Sequence, residues 1–278
     1  MLSMLAYLLL LVVVIAAGYA CGLWALSRLA RHGAADGEPD AGSERLSDTI
    51  GFVGGAYGIL LGLLLVFAVG HFVDARQVSK DEAATAAALF TAVDPYPADQ
   101  RDPLRHDLQC FMASVAGDDW AAARAGNMAG AATTDAYAAS VQQQIEALPQ
   151  TEDVEASNHY FVTEEFLDLA KYRQLRLLYA VPEIPLAIWV VVYLSAFLFV
   201  GLTVFHLGRR RGLRRLAVGV TAVLLVAMIA ALIQLDAPYK GLGTSLRPVA
   251  MTAALDRLRA AYPEPTSLWD ACTPPTTS

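Results

Sequence analysis

The chain of 278 residues is 56% hydrophobic, only 17% charged, and has a mean hydropathy of +0.43. An ordinary soluble domain is about 45–50% apolar and about 25% charged, so a disordered chain is excluded and a cytosolic enzyme is disfavoured. A net charge of −7 lacks the basic face of a nucleic-acid binder, and three cysteines are too few for a disulfide scaffold.

The apolar residues are gathered into four runs, each near the roughly 20 residues that a helix needs to cross a bilayer core. The first transmembrane helix is placed at residues 1–27, uncharged before Arg28. It is too long, and lacks the basic start, for a cleaved signal peptide. A Gly-, Ala- and acid-rich stretch with Pro39, residues 28–49, reads as a flexible cytoplasmic loop. The second transmembrane helix is residues 50–73, interrupted only by His71 near one end. Within it Gly54, Gly58 and Gly62 recur every fourth residue, with Gly51 and Gly55 beside them. The first span carries Gly18 and Gly22 at the same spacing. Small residues let helix backbones approach closely in lipid, where apolar burial drives no association, so the Gly54–Gly58–Gly62 stripe is expected to pack against another helix, in this chain or another copy.

Residues 74–183 read as a helical extracytoplasmic domain with 18 acidic and 8 basic residues. Its first helix continues the second span and ends at Pro95 and Pro97; a second is expected from Asp102, with Pro103 at its first position, to about Ala116. Leu104, Leu108, Phe111 and Val115 form its apolar stripe, with Cys110 pointing away toward the polar side. A short piece around Trp120, a helix near residues 134–148 and a long helix over 152–181 follow. Pro182 and Pro185 then reset the chain.

The third transmembrane helix is residues 184–206, uncharged before His206, and the fourth is 216–235, with only Gln234 near its end. Between them, residues 207–215 form a basic loop holding Arg209, Arg210, Arg211, Arg214 and Arg215. Lys and Arg in short loops mark the cytoplasmic side, which places this loop inside and both residues 74–183 and the C-terminal segment 236–278 outside. A helix from Pro248 to about Tyr262 is expected in that segment, with a Pro-rich remainder.

The fold class is therefore all-α: four transmembrane helices with a helical extramembrane domain between the second and third. No motif supports catalysis, a cofactor or a metal, and the five histidines show no ligand spacing. No ionisable residue lies mid-span, which counts against a proton-coupled transporter but not against a pore gated by an apolar constriction. Two inferences concern side chains outside the spans. If the helices flanking the domain rise side by side, Asp81 and Glu82 come level with Arg173 and Arg176 and form an ion-pair cluster. Cys21 is read as a free thiol buried inside the first span. Cys110 and Cys272 both fall outside, where disulfides persist, and a bond between them would pin the tail to the domain; two unrelated cysteines are the alternative.

At the second span the sequence GAYGILLGLLLVFAVGHFVDARQVSKDEAATAAALF resembles the signature of the bestrophin-like family of bacterial membrane proteins. The segments RQLRLLYAVPEIPLAIW and LDAPYKGLGTSLRPVAM support it, and DDWAAARAG is a weaker match; together they span about residues 51–258. The resemblance implies a distant relation to bestrophins, which are pentameric anion channels whose second helix lines an apolar, aromatic neck. The matching positions here are Phe67 and Phe72, with Tyr57 deeper. It further implies a homo-oligomer in the lipid bilayer of the bacterial inner membrane, although bestrophins keep their helical part in the cytoplasm and the arginines here place it outside. Two functions follow: an oligomeric, anion-permeable pore, or a non-conducting envelope sensor or scaffold acting through the acidic domain. Neither is an enzyme.

Overall fold

The computed structural model describes residues 2–31, 39–150, 153–207, 211–240 and 245–274, with side chains over 5–28, 47–150, 156–207, 215–240 and 245–274. Its regular elements are helical throughout: α1 (Leu2–Arg31), α2 (Pro39–Ala92), α3 (Ala98–Ser114), a π-helical turn (Val115–Asp119), α4 (Trp120–Ala125), α5 (Ala132–Glu146), α6 (Asp153–Leu178), α7 (Leu186–Leu207), α8 (Arg211–Asp236), α9 (Val249–Ala261) and a 3₁₀ turn (Thr266–Trp269). Four of them, α1, α2, α7 and α8, contain stretches long and apolar enough to cross a membrane.

Several boundaries differ from the sequence reading. Helix α2 begins at Pro39, inside the stretch read as a loop; proline suits a first helical position, and the Ala, Glu, Arg and Leu after it are sound helix formers. Helix α8 begins at Arg211, so part of the basic loop is helical, while Arg209 and Arg210 lie outside the described residues. Helix α3 starts at Ala98 rather than Asp102, with Pro103 inside it. So close to the N-terminus, the missing N–H of Pro103 costs one bond, to the carbonyl of Asp99. Asp236, read as the start of the C-terminal segment, is the buried last residue of α8.

The chain divides into two compact units: Met1–Gly70 with Glu183–Asp236, and His71–Pro182 with Ala237–Ser278. In the first, α1 runs against α7, which also packs on α8. The closest approach is made by Gly18 and Gly22. A Cβ on Gly18 would lie 2.8 Å from the carbonyl oxygen of Phe197, and one on Gly22 would lie 2.7 Å from that of Gly201. Val192, Ala196, Val200 and Val204 form the buried face of α7, at the 3.6-residue period of one helix side. The carboxylate of Asp236 accepts hydrogen bonds from the backbone N–H groups of Glu183 and Ile184, at 3.0 and 3.1 Å, and so ties the end of α8 to the entry of α7.

The glycine stripe of α2 behaves otherwise. Gly54 meets the ring of Phe199, 2.6 Å from an added Cβ, but Gly58 and Gly62 have open space there. Within the chain, among the described residues, only Gly54 of the stripe is covered. Cys21 is likewise exposed rather than buried, because α1 turns Gly18 and Gly22, not Cys21, toward α7.

The second unit is built on the continuation of α2, whose Ala75, Ala83, Ala86, Leu89 and Phe90 are buried. Their helical spacing presents one narrow, mostly alanine edge to the core. Helix α3 packs against α5 on one side and against α9 and the 3₁₀ turn on another. Leu104, Leu108, Cys110, Phe111 and Met112 are all buried, so α3 is enclosed on more than the single stripe read from its sequence.

Because a Cβ at Gly22 would meet backbone and one at Gly58 would meet nothing among the described residues, their substitution should differ. Gly22→Leu is expected to destabilise the protein by at least the ~1–3 kcal/mol typical of overpacking, seen as a lowered thermal midpoint in detergent. Gly58→Leu should leave the midpoint of the isolated chain unchanged.

Candidate functional site

The second unit encloses a chain of charges. Asp119 ends the π-helical turn after α3; its side chain is fully buried. Single π turns displace one residue from the regular helical face and recur at functional positions. The Oδ1 of Asp119 accepts hydrogen bonds from the Ala131 N–H at 2.7 Å and from Arg173 Nη2 at 2.9 Å. Its Oδ2 accepts from Arg173 Nε at 3.1 Å and from Arg176 Nη2. Arg176, equally buried, donates from Nε to Glu82 at 2.5 Å and lies over the Trp120 ring at 5.2 Å. Arg173 extends the chain outward to Asp135 at 2.7 Å.

The backbone accommodates this. Gly130 has φ +79°, and a Cβ there would lie 2.6 Å from both Asp119 Oδ1 and Arg173 Nη2, so both the conformation and the space require glycine. On the other side, Trp120 donates through Nε1 to the carbonyl of Leu246 at 3.2 Å and meets Tyr239 edge-on, while the Tyr239 hydroxyl lies 3.2 Å from Ser79 Oγ. The cluster therefore ties together α2, the π turn, α6 and the segment between α8 and α9.

Of the four side chains grouped from sequence, Glu82 and Arg176 pair directly. Arg173 pairs with Asp119 and Asp135 instead of an α2 carboxylate, and Asp81 accepts from Gln77 on its own helix at 2.8 Å. Asp81 is displaced because Glu82, one residue on, takes the inward position. The residue that sequence reasoning missed is Asp119. It stands second in the DDWAAARAG segment, and the signal available was an acidic residue directly preceding a tryptophan.

Burial strongly opposes ionisation throughout the cluster. At Asp119 it is outweighed by the hydrogen bonds and charges of Arg173 and Arg176 and by the Ala131 N–H, which together hold its carboxyl below the usual range. At Glu82 burial dominates and pushes the pKa up against the pull of Arg176. At Arg176 and Arg173 the facing carboxylates overcome burial and keep both guanidinium groups more firmly protonated than in water. Burial also pushes the Tyr239 hydroxyl up to about 12.

The family profile of the bestrophin-like domain matches residues 13–251. The chain belongs to the bestrophin-like family. Crystal structures of point variants of a bacterial bestrophin homologue from Klebsiella pneumoniae share the fold. One superposes with a TM-score of 0.64 at 16% identity, over 89% of this chain and 96% of that one. Another gives 0.64 at 15% identity, over 94% and 99%. No curated protein sequence matches the chain. The protein is thus a multi-pass membrane protein with the bestrophin fold, and at this identity the likeness concerns fold alone.

In this bestrophin-like chain Phe67 is exposed on α2 and Phe72 is half-buried. Tyr57 is buried against Phe199, with ring centroids 6.4 Å apart, so it faces α7 while Phe67 points outward. Cys110 and Cys272 are joined in a disulfide with Cα atoms 5.5 Å apart. Cys110 is buried rather than on a polar face, because the C-terminal segment covers that side of α3. Gln109 Nε2 lies 3.0 and 3.2 Å from the two sulfurs, and His106 Nδ1 lies 3.1 Å from the Leu268 carbonyl oxygen.

The opposed shifts of Asp119 and Glu82 predict a stability maximum in acid. A carboxylate with a depressed folded pKa contributes stability above its unfolded value, about 3.9, that is lost as pH falls through the folded value. One with a raised folded pKa makes stability fall as pH rises from its unfolded value, about 4.3, to the folded one. Denaturant titration should show stability rising to about pH 4 and declining above it. Asp119→Asn should remove the rise and Glu82→Gln the decline. For the disulfide, thiol labelling of denatured, unreduced protein should find one reactive cysteine, Cys21, and three after reduction. Reduction should lower stability by up to ~4–5 kcal/mol for so long a loop.

Proposed function

We propose that this protein is an oligomeric, anion-permeable pore of the bacterial inner membrane. The observation that carries the reading is the uncovered side of α2 in the membrane-spanning unit. Ile59, Leu63, Val66 and Phe67 are exposed, and the space over Gly58 and Gly62 is open. A span whose Gly58 and Gly62 meet nothing among the described residues of its own chain suits close approach by copies of itself, and an exposed aromatic on that span suits an apolar constriction. The fold shared with the Klebsiella pneumoniae bestrophin homologue supports the same reading. In this proposal Gly58 and Gly62 face the neighbouring copy, Phe67 forms the pore face, and the 74–183 domain lies outside the cell membrane with the arginine loop in the cytoplasm.

A second reading, a non-conducting envelope sensor or scaffold, is favoured by one observation. Residues 74–183 carry 18 acidic against 8 basic residues, and an acidic vestibule repels anions.

Chloride and iodide flux into liposomes holding the purified protein separates the two. The pore reading expects flux that rises when Phe67 is cut to alanine and that falls, with loss of the assembled species, in Gly58→Leu. Absence of flux from an assembled protein favours the scaffold. Reporter fusions at Gly126 and Gly212 test the orientation: a cytoplasmic signal at Gly126 would reverse it.

A further inference from the structure

We propose that a cleft in the second unit binds the headgroup and upper acyl chain of an anionic phospholipid. The cleft, about 470 Å³, lies between α2 and the segment leading into α9. Arg76 and Lys80 line it from α2, one helical turn apart, and Arg247 lines it from the opposite side. Its lining includes no carboxylate, and among the described residues none of these three cations enters an ion pair. These three cations converge on one cleft. Elsewhere in this unit Arg105, Arg173 and Arg176 are each held by a carboxylate.

A second feature adds positive potential. Val249 and Ala250, which open α9, also line the cleft. The first turn of this 13-residue helix has no acidic residue and no side-chain cap, so its leading N–H groups and the positive end of its dipole remain available to an anion. The ligand is therefore anionic. It is also an amphiphile, because Phe72, Leu246, Val249 and Ala253 make most of the remaining wall hydrocarbon. A free inorganic anion would leave that surface uncovered.

Position selects the membrane as its source. Taking residue 73 as the end of the second span, Arg76 and Lys80 follow at about 4.5 and 10 Å along the same helix. That is the depth at which basic residues meet lipid phosphates, each worth an appreciable share of affinity for anionic lipid. The volume falls within the range of small-molecule sites, about 300–1,000 Å³, and suits a headgroup with the start of one chain.

Native mass spectrometry of the full-length protein in mild detergent, titrated with phosphatidylglycerol, phosphatidylcholine or inorganic phosphate, tests this. Wild type should retain phosphatidylglycerol in clear preference to phosphatidylcholine. Arg76→Ala, Lys80→Ala and Arg247→Ala should each cost about fivefold in affinity, and the triple variant should lose the preference, with circular dichroism and elution unchanged. Should the triple variant fail to fold, the single variants and the paired Arg76→Lys and Arg247→Lys, which should keep most of the preference, carry the same test. Equal retention of the two lipids by wild type overturns the proposal, as does an unaltered preference in the variants. Displacement of all phosphatidylglycerol by inorganic phosphate would make this a free-anion site and overturn the lipid assignment. A smaller assembly in the triple variant with the lipid preference intact would make the cleft an interface between copies, and would overturn it too.

Discussion

A carboxylate cut off from water must be neutralised or compensated, and Asp119 is compensated twice over. Its two oxygens take four donors, three of them from the guanidinium groups of Arg173 and Arg176. Removing one member of such a buried set leaves an uncompensated charge, whereas the intact set contributes little net stability over an apolar packing. The arrangement therefore acts mainly through geometry. The π turn, α6 and the upper part of α2 adopt mutual positions that keep every charge paired, and Gly130, Trp120 and Tyr239 are placed by that requirement.

The membrane-spanning unit follows a different rule. Lipid is as apolar as the helices it surrounds, so contact area alone selects no partner. Selection comes from close backbone approach and from polar groups that need partners. Gly18 and Gly22 supply the first against α7; Asp236 supplies the second by holding the N–H groups of Glu183 and Ile184 at a turn bounded by prolines. Helix α2 has neither device along Gly58 and Gly62, while Tyr57, Leu61, Leu64 and Ala68 on another side of it are buried in the chain.

The acidity of the second unit is unevenly spent. Part of it is buried and matched by arginine, as at Asp119 and Glu82, and part sits on exposed helix surfaces, while Arg76, Lys80 and Arg247 stand together without acidic partners. Net charge thus misdescribes this cleft, whose charged lining residues are all cationic. For a pore the distinction matters, because ions respond to the lining they pass rather than to the total charge of the domain.

Four apolar runs of bilayer length, broken by prolines and bounded by charge, determined the all-helical class and the number of spans, because that signal is local and additive along the chain. The family signature in α2 was equally local. The Glu82–Arg176 pairing was legible because both residues lie at countable heights on continuous helices. What only the tertiary structure decided depends on rotation and on what covers a face. Arg173 reaches Asp119 because the π turn carries that carboxylate inward, and a π turn leaves no mark in hydrophobic periodicity. Cys110 is buried because the C-terminal segment lies over a side of α3 that its own amphipathic pattern assigned to solvent. The glycines of α1 rather than those of α2 make the close approach, since equal small-residue spacing on two helices says that either can approach a neighbour and leaves the choice to the packing of α7.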